Sequence, residues 1–110
     1  MIENLFVYGT LKPGGPNEHI LAKLKGTWQP ATVVGTLRDE GWGSEFGSPG
    51  IDLEEPNETV EGFLFQSSDL GENWAMLDEF EGTEYRRVLW DVTKDDGETV
   101  EAFVYGLRKS

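Results

Sequence analysis

The stretch "YRRVLWDVTKDDGETVEAFVYG", residues 85 to 106, limits most strongly what this chain can become. Tyr85 to Thr93 and Thr99 to Tyr105 are rich in β-branched and aromatic residues. Between them stands "KDDGE", and its Asp96-Gly97 pair is a tight-turn signal, because such turns need positive φ. The two runs therefore predict an antiparallel hairpin. Three further strands are predicted upstream. Leu5 to Tyr8 is a short apolar run, Thr32 to Leu37 is β-branched, and Thr59 to Phe65 alternates. In the last of these, Val60 and Gly62 fall on one side and Glu61, Phe63 and Phe65 on the other.

Two helices are predicted among these strands. Asn17 is a candidate N-cap, Ile20, Leu21 and Leu24 share a side, and Gly26 is a stop signal. Asp69 opens a better one, with Glu72 three positions on, as in a capping box. Leu70, Trp74, Leu77 and Glu81 follow one helical stripe, and Gly82 closes it. "DEGWGSEFGSPG", Asp39 to Gly50, holds four glycines and a proline and reads as an irregular loop. Strands dominate, so the pattern suits a single small α+β domain over residues 1–110 with a curled or closed sheet.

Charge excludes some functions. Twenty-one acidic against nine basic residues give a net of −12, a field that repels nucleic acid and anionic membrane surfaces. With no cysteine, disulfides, thiolate metal sites and cysteine nucleophiles are out of reach. "MIENLFVYG" does not read as a secretory signal, and no apolar run approaches the ~18 residues of a membrane helix. A cytoplasmic protein is expected.

Candidate chemistry concentrates around Glu81. A carboxylate on the stripe of Leu70, Trp74 and Leu77 costs free energy unless it is paired or has a task. Periodicity leaves two readings open: a buried functional acid, or a helix that has ended so that Glu81 meets water beside Asp78, Glu79 and Glu84. Asp78 and Glu79 lie off the core-facing side. Downstream, strand alternation puts Tyr85 and Arg87 on one face and Arg86 on the other, either as a site or as a surface arginine pair. His19 is the single histidine, which leaves no zinc set and no serine triad, and no G-x-S-x-G occurs. Tyr105 reads as a core tyrosine and Lys12 as an exposed loop lysine.

The opening strand runs into "VYGTL", Val7 to Leu11. Together with "LDEFEG" at 77–82, "YRR" at 85–87 and "AFVYG" at 102–106, in this order, it resembles the gamma-glutamylcyclotransferase-like family, which includes AIG2-like and gamma-glutamylamine cyclotransferase proteins. The resemblance spans nearly the whole chain. It implies a small mixed β-barrel with two short helices and no metal or cofactor. It also implies a small-molecule gamma-glutamyl substrate bound by backbone N–H groups of Tyr8, Gly9, Thr10 and Leu11. Glu81 is then the catalytic carboxylate, with Tyr85 and Arg87 as substrate contacts. The implied reaction closes a five-membered lactam and releases 5-oxoproline with an amine or amino acid.

Two other functions fit the composition: a binding member of the same fold without turnover, and an acidic domain that meets a basic partner. The segment between Gly82 and Tyr85 is shorter than in many members, and the loop from Glu40 to Pro56 matches no substrate element. Substrate choice would be set at those two places.

Overall fold

The computed structural model describes residues 3–9, 11–39 and 50–108. Six strands and two helices follow in the order β1 Asn4–Val7, α1 His19–Ala22, β2 Thr27–Arg38, β3 Gly50–Asp52, β4 Glu58–Gln66, α2 Trp74–Glu81, β5 Tyr85–Lys94 and β6 Thr99–Leu107. The sheet order is β3-β2-β4-β1-β6-β5, and β2 also pairs with β5. That extra pairing, Ala31 with Lys94 and Thr32 with Thr93, closes five strands into a barrel and leaves β3 as an appendage on β2. The β1–β6 pair is parallel and the others are antiparallel, so the barrel is mixed, as the family resemblance implied.

Strict alternation sorts the apolar side chains into two cores. Phe6 of β1, Val60 and Leu64 of β4, Val92 of β5 and Val104 of β6 point into the barrel. Leu5 and Val7, Phe65 and Tyr105 point outward, where Leu21 of α1 and Leu77 of α2 cover them. The sides expected for Val60, Phe63 and Phe65 hold in the structure. The hairpin also forms as expected, with Thr93 opposite Thr99 and Gly97 at φ +89° in its turn.

Several boundaries differ from the sequence reading. β2 begins at Thr27, five residues early, because Trp28 packs on Phe65 with ring centroids 4.5 Å apart. Pro30, which argues against a strand interior, lies just before the seam to β5, and its carbonyl accepts the Asp95 N–H at 3.1 Å. The first helix is only His19–Ala22, with Glu18 rather than Asn17 at its start. The second is broken: a 3-10 turn at Leu70–Glu72 is separated from α2 by Asn73. The Asp69 capping box does not form, since the Asp69 carboxylate accepts the Lys25 N–H instead, at 2.9 Å. Gly50 opens β3, and residues 40–49 of the expected loop lie outside the described residues.

Gly62 faces the barrel interior, and a Cβ there would stand 2.4 Å from the Val7 carbonyl and 2.7 Å from the Phe6 ring. Neither obstacle is a flexible chain end. Gly62→Ala is therefore expected to lower stability by about 1–3 kcal/mol, the usual range for overpacking. Urea unfolding measures it; an unchanged midpoint would show that β1 and β4 can spread.

Candidate active site

Tyr8 follows β1 directly, and alternation turns its ring inward, stacked on Phe6 at 6.2 Å. Its hydroxyl donates to the Tyr105 carbonyl at 2.7 Å and accepts the Ile51 N–H at 3.0 Å. One phenol thus ties β1, β3 and β6 together at one end of the barrel. β3 can come this close because β6 carries Gly106, whose missing side chain leaves room for Leu53. After Tyr8 the chain turns: the Lys12 N–H donates to the Gly9 carbonyl at 3.3 Å, and Leu11 then buries its side chain beside Tyr85 and Tyr105. With the Tyr8 hydroxyl engaged and the Leu11 side chain in the core, this segment has its backbone to offer a ligand. Thr10 lies outside the described residues.

Glu81 is the last residue of α2. The stripe expected from the sequence carries it: Leu70 and Leu77 are fully buried, and Trp74 and Glu81 are half-buried. Gly82 follows with φ +84° and ψ −175°, a conformation open to glycine, so the helix stops there. Burial pushes the Glu81 carboxyl up to about 7. Its charge is felt by the phenols of Tyr8 and Tyr105, and Tyr8 also feels Tyr85, so these side chains converge on one region. Tyr8 is raised above the usual phenol range, by burial first and then by its tyrosine and glutamate neighbours, against the Ile51 bond. Tyr105 is raised by burial and by its hydrogen bond to Asp78. The phenols of Tyr8 and Tyr105 stay protonated at neutral pH, whereas the Glu81 carboxyl titrates near it.

The structure thus brings Tyr8, Leu11, Glu81 and Tyr85 to one end of the barrel, with Gly9 in the turn between the first two. Arg87 stands differently. Its Nε and Nη2 donate to the Asp78 carboxylate at 2.9 and 3.3 Å. Its guanidinium also lies 4.5 Å from the Trp74 ring centroid and 4.9 Å from that of Phe103. A guanidinium held on its edge and over two rings is braced in place, with Asp78 as its carboxylate partner here, and it also lines the neighbouring cleft. Arg86 is exposed on the opposite face, so the expected register holds. Asp78 lies off the core-facing side as expected, yet its carboxylate also accepts the Tyr105 hydroxyl at 2.6 Å. Sequence spacing could not show this, since the Tyr105 partner is 27 residues away. Beside this group opens a cleft of about 440 Å³ lined by Tyr85, Tyr105, Arg86 and Arg108 among others. Among the described residues no group of three or more His, Asp and Glu side chains could hold a metal ion, and no helix is long and apolar enough to cross a membrane.

A closed mixed barrel with a half-buried carboxylate on its capping helix places the chain among the cyclotransferase-like barrels. The family model described as gamma-glutamyl cyclotransferase, AIG2-like, matches residues 5–110, and the chain belongs to that family. Solved structures agree. YkqA of Bacillus subtilis superimposes with a TM-score of 0.74 at 25% identity over 100% of this chain, which spans 37% of YkqA. A mouse AIG2-like protein gives 0.73 at 23%, over 99% of this chain and 79% of its own. An Arabidopsis thaliana protein gives 0.69 at 28%, over 96% and 68%. A search of curated proteins finds no match.

Two measurements test the electrostatics and the scaffold. A carboxyl whose folded-state pKa is raised binds its proton more readily folded than unfolded. Stability is then highest below its ordinary value of 4.5, falls as pH rises toward about 7, and is level above. Glu81→Gln is expected to remove that slope and to stabilise the protein above pH 7 by up to about 3 kcal/mol, with the gain vanishing near pH 4. Melting curves across this range decide it; a gain that appears only at low pH would contradict the assignment. Tyr8→Phe leaves the Ile51 N–H without its phenol and should cost about 1–3 kcal/mol at all pH values, read by urea unfolding.

Proposed function

We propose that the protein is a cyclotransferase acting on a gamma-glutamyl amine or gamma-glutamyl amino acid, releasing 5-oxoproline and the free amine or amino acid. The observation that carries this reading is Glu81: a carboxyl raised to about 7 by burial, beside phenols that stay protonated. A base of that strength suits a proton that must be taken up and returned near neutral pH.

The substrate carries an α-ammonium and a γ-amide on one flexible chain. Backbone N–H groups of the Tyr8 to Leu11 turn orient it so that the two ends meet. Glu81 takes a proton from the ammonium. The freed amine nitrogen attacks the γ-carbonyl carbon, and the C=O electron pair moves onto oxygen, where backbone donors stabilise it. When that pair returns, the bond to the leaving nitrogen breaks, and Glu81 gives its proton to that nitrogen. The lactam nitrogen, still carrying the second proton of the attacking amine, passes it to the released amine, which leaves as an ammonium ion, and Glu81 is again a carboxylate. No step uses a cofactor. The family and the retained acid favour this over a binding role without turnover.

A panel of gamma-glutamyl compounds assayed for 5-oxoproline release tests the reading. On any substrate turned over, kcat/KM should rise through an inflection near pH 7 as Glu81 loses its proton. Glu81→Gln should lower the rate by at least about 10²-fold while 5-oxoproline still binds in calorimetry. Substantial turnover by Glu81→Gln would end the assignment.

A further inference from the structure

Glu81 ends an eight-residue helix that has little stability of its own and stops abruptly at Gly82. Leu77 is the one fully buried side chain of that helix, and it lies a full turn before Glu81. In the last turn Phe80 packs half-buried against the outer core, and Asp78 ties the turn to the sheet. Its carboxylate takes three hydrogen bonds, two from Arg87 on β5 and one from Tyr105 on β6. Its backbone carbonyl accepts the Gly82 N–H at 3.0 Å. Arg87 is itself steadied between Trp74 of α2 and Phe103 of β6, whose rings meet edge to face at 5.0 Å. Tyr105 in turn takes the Tyr8 hydroxyl on its carbonyl. A continuous set of contacts therefore runs from the barrel end through Asp78 to the turn that carries Glu81.

We propose that Asp78 is a positioning residue for Glu81: its grip on Arg87 and Tyr105 holds the end of α2 against β5 and β6 and so sets where the Glu81 carboxylate stands. As a statement about catalysis this rests on the function proposed above. The Asp78 side chain is 45% exposed and that of Arg87 25%, so the pair adds little to global stability. Its effect falls on geometry instead. Partial burial raises the Asp78 carboxyl, but the bonds from Arg87 and Tyr105 outweigh it and hold the group below its ordinary value, ionised at neutral pH. Among the groups on other elements, the phenols of Tyr8 and Tyr105 lie close enough to feel the Glu81 charge, and Tyr105 also feels Arg87. Releasing the last turn would let water reach Glu81, and a carboxyl raised by burial would move back toward its ordinary range.

The test has two readouts. One is the Glu81 titration midpoint, from carboxyl 13C NMR. The other is kcat and KM for 5-oxoproline release. In Asp78→Ala the midpoint should fall by about one unit, and kcat should drop at least about tenfold with KM within about twofold. Asp78→Ala/Arg87→Ala should be no slower than Asp78→Ala alone, because the two side chains act as one brace. Glu79→Gln removes a neighbouring negative charge without touching the brace, and should leave both readouts as in the parent. A parent-like midpoint or an unchanged kcat in folded Asp78→Ala would overturn the proposal, as would an equal shift in Glu79→Gln. If Asp78→Ala does not fold, Asp78→Asn is judged on the same criteria with a smaller expected drop. If the parent releases no 5-oxoproline from any compound, the functional reading fails. The NMR midpoints still decide whether Asp78 positions Glu81.

Discussion

The Tyr8 hydroxyl is the contact on which the arrangement turns. It uses its one proton on β6 and accepts one from β3, so the barrel end is shut by a single oxygen. Burial keeps that oxygen protonated, which is what allows it to bridge. The Tyr8 side chain is engaged by these two bonds, and the Leu11 side chain is buried in the outer core. Gly106 packs close by, since a Cβ there would stand 3.1 Å from a Leu53 methyl and 3.5 Å from the Ile51 carbonyl of β3.

The acidic surplus of the chain and the raised Glu81 look alike but arise differently. A net charge of −12 acts mostly through water and is screened by salt. Glu81 is raised by desolvation, a local effect that salt does not remove. Asp78, three residues earlier on the same helix, goes the other way because a guanidinium and a phenol donate to it. Two carboxylates of one short helix are thus separated in strength by their surroundings: burial in one case, hydrogen bonds from an arginine and a phenol in the other. That separation leaves one ionised brace and one acid able to titrate near neutrality.

Much of this was legible in the sequence where a local period or turn rule applied. The hairpin followed from Asp96-Gly97, the two sides of β4 from alternation, and the Tyr85–Arg87 face from strand register. Glu81 was found because it broke an apolar stripe, and the family resemblance weighted that break toward function. What escaped depends on contacts made after folding. β3 is three residues long, too short to show a period. The Asp78 carboxylate looked solvated because its partners arrive from β5 and β6. The break at Asn73 was hidden because Leu70 and Trp74 keep the helical spacing across it, while the Asn73 side chain donates to the Asp69 carbonyl at 2.7 Å and replaces part of the ladder.

The parallel pairing of β1 with β6, Leu5 beside Phe103 and Phe6 beside Val104, also bears on how the protein is made. On that side β1 has no neighbour until the chain near residue 103 has folded back beside it. Joining strands so far apart in sequence carries a large loop-closure cost, which slows folding. The Tyr8 bridge and the Asp78 contact with Tyr105 both require β6, so this end of the barrel forms only once the parallel pair has closed. Until then β1, paired with β4 alone, presents an open apolar edge, the kind that favours misassociation during folding.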